Sequence, residues 1–140
     1  MKVVVNRCFG GFELSDKAIE MIMNRKGLEC FRYKQTGYSF RDGVEKYTRC
    51  DSFEDNFGCY YSTKDLGEET NKIPNEYHWY YNSKLERTDS DLIAVIEEIG
   101  EEKASGRFAN LEVVEIPDDV NWEIEDYDGI ETIHEVHRSW

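Results

Sequence analysis

Apolar and polar positions alternate along this chain with two distinct periods, and the changes of period mark its elements. Val3, Val4 and Val5 form an unbroken apolar run of strand length, so Lys2–Asn6 reads as a buried strand. The run breaks at Asn6-Arg7, passes through Gly10-Gly11 and reaches Ser15, a residue suited to capping a helix. Ala18, Ile19, Ile22 and Met23 follow at helical spacing, and Gly27 behind Arg25 and Lys26 predicts the helix end. Residues 28–33 alternate like a strand, a polar stretch follows, and Asp42-Gly43 predicts a hairpin turn into Val44–Arg49.

Phe57 to Ser62 reads as a further strand and residues 64–76 as a mobile loop. The aromatic run YHWYY at 77–81 fits an edge strand, or else a stacking or partner surface. Asp89 is placed to cap a second helix whose stripe is Leu92, Ile93, Ile96 and Ile99, with Gly100 as its stop. Leu111 to Ile116 reads as a strand ended by Pro117. Val120, Trp122 and Ile124 alternate as in a half-buried strand, and Asp128-Gly129 permits a turn. Residues 130–140 fit either a strand or a short helix. The sum is a single domain over residues 1–140, α/β or α+β, with a mixed sheet of about six strands and two main helices.

Composition narrows the class. Aromatic residues make up 14% of the chain, too many for a disordered polymer despite a mean hydropathy of −0.72. No apolar run reaches the length of a membrane span and the first residues lack a signal-peptide core, so the expected setting is the cytoplasm, with no membrane partner. Four irregularly spaced cysteines, Cys8, Cys30, Cys50 and Cys59, are expected as reduced thiols. A formal net charge of −13 repels phosphate backbones and argues against binding duplex nucleic acid. That charge serves solubility, or else imitates nucleic acid toward a DNA-binding protein.

Candidate chemistry gathers first at the strand–Gly-Gly–helix connection. Glycines there admit positive φ, and a helix N-terminus favours an anion. Asn6, Arg7, Gly10, Gly11 and Phe12 are the candidate ligand contacts, with Arg41 and Arg87 as candidate clamps on a phosphate. The alternative is a tight turn that lets Phe9 and Phe12 plug the core. His134 and His137 lie in H-E-x-H, which lacks the i, i+4 pair of zinc proteases and leaves them weak candidates for metal or acid–base work. No nucleophile with a base at mechanistic spacing is evident, so the chain reads as a binding protein more than an enzyme, without a cofactor.

The segments N-R-C-F-G-G-F-E-L-S, R-T-D-S-D-L-I-A-V-I-E-E-I-G, V-E-I-P-D-D-V-N-W-E-I-E-D-Y-D-G-I-E and H-E-V-H-R-S-W resemble a family of small acidic proteins of bacteriophages and prophages of Gram-positive bacteria. That family typically has an acidic-Pro pair where Asp89-Ser90 stands here. The resemblance covers both termini and the second helix and leaves residues 34–80 outside. It implies no activity for any residue. It does imply a phage setting, in which small proteins often counter host defence.

Three functions follow as expectations. One is sequestration of a nucleotide-derived signalling molecule. A second is inhibition of a host defence protein through the aromatic run or the acidic surface. The third is a small phosphodiesterase or hydrolase using His134 or His137. An aromatic-rich edge strand would also favour a homodimer.

Overall fold

The computed structural model describes residues 1–39, 41, 43–53 and 59–136. Its framework is β1 (Lys2–Asn6) paired antiparallel with β6 (Leu111–Glu115), so that strands more than a hundred residues apart in sequence are neighbours. Val3, Val4, Val5 and Asn6 are all fully buried, as an unbroken apolar strand requires. Helices α1 (Asp16–Arg25) and α3 (Ser90–Ile99) cover this pair, and the short helix α4 (Glu101–Ala104) leads into β6.

Both main helices begin where their caps predict. The Ser15 hydroxyl accepts from the Ala18 N–H at 3.3 Å, and the Asp89 carboxylate accepts from the Asp91 and Leu92 N–H groups at 2.9 and 3.0 Å. Ala18, Ile19, Ile22 and Met23 point into the core. From α3 the buried residues are Leu92, Val95 and Ile96, while Ile93 and Ile99 pack at its margin. The stripe therefore sits one position round from the one expected.

A second sheet has the order β4–β2–β3–β5, with β2 at Phe31–Ser39, β3 at Val44–Arg49, β4 at Tyr60–Ser62 and β5 at Glu69–Thr70. Strand β2 starts later and runs further than its alternation predicts, through polar residues 34–39. The β3 ladder, with an irregularity between Gln35 and Gly37, carries it there. Of the predicted Asp42-Gly43 turn, Gly43 has φ +65° and Asp42 lies outside the described residues. The 64–76 segment is pinned by β5 and by Ile73, which is buried with Tyr33 and Tyr47. Residues 77–81 form a turn on Pro74 and a single bridge from His78 to Ser62, then enter helix α2 (Tyr81–Lys84).

The last sheet is the hairpin of β7 (Trp122–Tyr127) and β8 (Ile130–Glu135). Its two-residue turn has Asp128 at φ 51° and Gly129 at φ 93°, the doubly positive geometry that matches strand twist in a tight hairpin. Residues 130–135 are thus strand, and 137–140 lie outside the described residues. The α+β class holds, with eight strands and four helices among the described residues, the strands shared among three antiparallel sheets. Among the described residues no helix is long and apolar enough to cross a membrane.

The hairpin turn is seated on the glycine loop. A methyl group at Gly129 would lie 2.6 Å from the Gly11 nitrogen and 2.7 Å from that of Gly10. Gly129→Ala meets backbone there and also strains a positive φ, so we expect a loss of about 2 kcal/mol, checked by urea unfolding. Gly27→Ala, with positive φ but open space around it, should cost less.

Candidate functional site

The strand–glycine–helix connection is built around a carboxylate supplied from the far end of the chain. Glu131 on β8 is 4% exposed. It accepts from the Asn6 N–H at 2.8 Å and from both Arg87 Nη atoms at 2.5 and 2.8 Å. The Arg87 guanidinium lies 3.6 Å above the Phe12 ring. The Asn6 side chain donates to the carbonyls of Cys8 and Gly129 and accepts from the Asn110 N–H. Arg7 donates through Nε to Glu112 and through Nη1 to the Glu131 carbonyl, both at 2.9 Å.

The structure places Asn6, Arg7, Gly10, Gly11, Phe12 and Arg87 near one another and engages the polar side chains of Asn6, Arg7 and Arg87 within the protein. The nitrogens of Gly10 and Gly11 abut Gly129. Arg41 is elsewhere, exposed in the β2–β3 turn, and takes no part in this cluster. Phe9 is 64% exposed rather than plugging the core, while Phe12 packs against it.

Beside Arg7 a half-open hollow of about 430 Å³ separates β6 from the β7–β8 hairpin. Its walls are mainly apolar, from Val114, Ile116, Val120, Trp122 and Ile133.

A second site, whose architecture the sequence did not disclose, lies on the far side of α1. Tyr60, His78 and Tyr80 stand as successive rings, with centroids 5.7 Å apart for the first pair and 3.7 Å for the second. Together with Cys59, Trp79 and Tyr81 they line a cleft of about 200 Å³. An adjoining recess of about 110 Å³ reaches Glu13 and Leu14. Trp79 is 6% exposed and Tyr80 50%, so the aromatic run places one ring in the core and the next at the cleft mouth.

Behind the cleft Asp16 is fully buried in the first turn of α1. One of its carboxylate oxygens accepts from the Tyr61 hydroxyl, and the other, among the described residues, has no hydrogen-bond partner. Burial, then the Asp16 charge and hydrogen bond, pushes the Tyr61 hydroxyl upward. Burial with the same carboxylate raises the Cys59 thiol, and burial lifts Cys30 to about 12. Those two thiols stay protonated at neutral pH and act as small apolar groups. Burial lowers His78, so its ring is uncharged near pH 7.

His134 is exposed and bonds Glu125 at 2.9 Å and Thr132 at 2.8 Å. Among the described residues no group of three His, Cys, Asp or Glu could hold a metal, and His137 lies outside them.

Fold and sites together define a small acidic α+β protein with two separate apolar recesses, one ringed by aromatics and one walled by an acidic hairpin. Compared with protein-family models, curated proteins and solved structures, the chain matches none.

Two outcomes test this geometry. Glu131→Gln places an amide N–H₂ against the Arg87 and Asn6 donors, and breaking such a pair costs about 3 kcal/mol. That corresponds to roughly 10 °C in Tm, measured by calorimetry. For His78 the folded form resists the proton that the unfolded form accepts near pH 6.5. The unfolded state then binds more protons below that value, and stability falls as pH drops from 6.5 toward the lower folded pKa. Wild type and His78→Gln should therefore diverge in urea midpoint below pH 6.5, with the wild type losing more.

Proposed function

We propose that this protein is a non-catalytic binding protein that sequesters a nucleotide-derived signalling molecule, holding its base in the aromatic cleft. The observation that carries the reading is the set of rings from Tyr60, His78 and Tyr80 around a cleft of about 200 Å³. Pockets for complete drug-sized ligands start near 300 Å³, so this one suits a single planar base with the rest of the molecule outside. Base–aromatic stacking supplies about 1–3 kcal/mol per base and tolerates any base, because each has a π-face. Uncharged His78 keeps the stack free of a buried charge.

Charge distribution supports the same location. Residues 28–88 carry 9 Lys and Arg against 11 Asp and Glu, close to balance, whereas residues 111–136 carry 10 Asp and Glu with neither Lys nor Arg. A phosphate outside the aromatic cleft thus meets far less repulsion than one near the hairpin. Lys84 closes α2 two residues beyond Asn82, a cleft-lining residue, and can lean toward such a phosphate. At the glycine loop, by contrast, Arg7 and Arg87 are already paired with carboxylates. Together with the phage-type sequence signature, this reading makes the protein an agent against host defence, acting by occupancy within an infected bacterial cell.

Thermal shift and calorimetry with nucleosides, mononucleotides, cyclic dinucleotides and cyclic ADP-ribose isomers test it. At least one is expected to raise the Tm, and Tyr80→Ala should weaken that ligand about tenfold while the fold is kept, since Tyr80 is half exposed. Ligand recovered intact from the denatured complex separates holding from turnover. No shift with any of these compounds would end the reading.

A further inference from the structure

The hollow beside Arg7 belongs to a different surface, and its chemistry is opposite to that of the aromatic cleft. Residues 111–136 contribute 10 of the chain's 30 carboxylates and no Lys or Arg; Glu112, Asp118 and Glu131 are paired with Arg7, the Met1 ammonium and Arg87, and the surface of β6, β7, β8 and their connections stays acidic. Strand alternation sorts these side chains. Trp122 and Ile133 face inward on the hollow, while Glu123 and Glu125 project from the opposite face of the hairpin, about 6.6 Å apart along β7. Glu135 stands on the wall of the hollow itself. No cation among the described residues pairs with Asp119, Glu123 or Glu135. The Arg7 guanidinium in the wall is held by Glu112 and the Glu131 carbonyl, so it leaves the surface potential negative.

We propose that this hollow is the docking groove for a basic protein segment, in which an apolar side chain enters between β6 and the hairpin and flanking Lys or Arg residues meet the acidic rim. The occupant follows from complementarity. An apolar hollow of about 430 Å³ takes one or two large side chains, and a rim with unpaired carboxylates selects cations around them. Nucleic acid is repelled by the same rim. A second copy of this chain would bring a charge of −13 against its equal. Segments that combine apolar anchors with clustered Lys and Arg are the ones proteins use against phosphate backbones, so the partner class is a nucleic-acid-binding protein engaged through its basic face. This inference is independent of the aromatic cleft and stands or falls without it.

The test uses the full chain with three fluorescent peptides, one alternating leucine with arginine, one of arginine alone, and one alternating leucine with glutamate. Anisotropy should show the leucine–arginine peptide binding at least about tenfold more tightly than either control, with affinity falling as salt rises. Val120→Lys, at a half-buried position on the groove wall, should abolish that binding. Asp119→Asn combined with Glu135→Gln, exposed carboxylates beside Val120 and on the groove wall that pair with no cation among the described residues, should weaken it severalfold with an unchanged circular dichroism spectrum.

Equal binding of the all-arginine peptide would reduce the surface to bare charge and overturn the proposal. So would unchanged binding by a folded Val120→Lys protein. Sedimentation showing a dimer that Val120→Lys disperses would assign the groove to a second copy. Binding that appears only after residues 137–140 are deleted would assign it to the chain's own end. Either result overturns the proposal.

Discussion

Glu131 reaches inward from β8, nearly excluded from water, and two segments distant in sequence, the end of β1 and the approach to α3, meet on its carboxylate oxygens. It satisfies the N–H of Asn6 at the end of β1 and forks onto Arg87 in the approach to α3. Its backbone carbonyl accepts from Arg7. A buried carboxylate is costly unless every lone pair is used, and here the pairing is bidentate and reinforced by a backbone donor. The hairpin is thereby fixed to the framework, and everything that depends on its position follows. Gly129 can sit on the glycine loop only with Glu131 in place, and the hollow beside Arg7 exists because the hairpin stands off β6 at that distance.

Much of the fold can be read from the chain where local rules decide. The caps at Ser15 and Asp89 and the Asp128-Gly129 turn are each satisfied by neighbours within a few residues, and the valine run is legible because an unbroken apolar strand is buried whatever its partner, so pattern and structure agree. Strand β2 is different, since its polar half is a strand only because β3 supplies a ladder. The glycine loop shows the same limit at the level of function. Its residues do cluster, but the partner that engages Asn6 is 125 positions away, and in a chain with 30 carboxylates nothing marks Glu131 as a buried one. The aromatic cleft was visible only as a density of rings. What turns Trp79 inward and Tyr80 outward is the turn on Pro74 and the single bridge to Ser62, both set by tertiary context.

The two recesses divide the molecule by polarity as well as by position. The sheet that carries Tyr60 is close to electrically balanced, and its recess is lined by aromatic rings, among them a His78 that burial keeps uncharged near pH 7. The hairpin side is intensely acidic and its recess is walled mainly by aliphatic residues and Trp122, with Arg7 and Glu135 at its margin. Salt acts on these surfaces unequally, because screening weakens attraction at an exposed carboxylate rim and leaves stacking in a dry cleft almost untouched. A single small domain can thus present two targets with separate demands on ionic conditions.

The pairing of β1 with β6, described above as the framework, also governs how the protein comes into being. Val3, Val4 and Val5 are synthesised more than a hundred residues ahead of the strand that pairs with them, which starts at Leu111, and the carboxylate that locks that strand's end is Glu131. Until most of the nascent chain has emerged, that valine segment has no native neighbour along one edge and is a template for wrong pairing. Folding must close a very long loop before β1 is protected, and non-local pairing of this kind slows folding for a domain of this size.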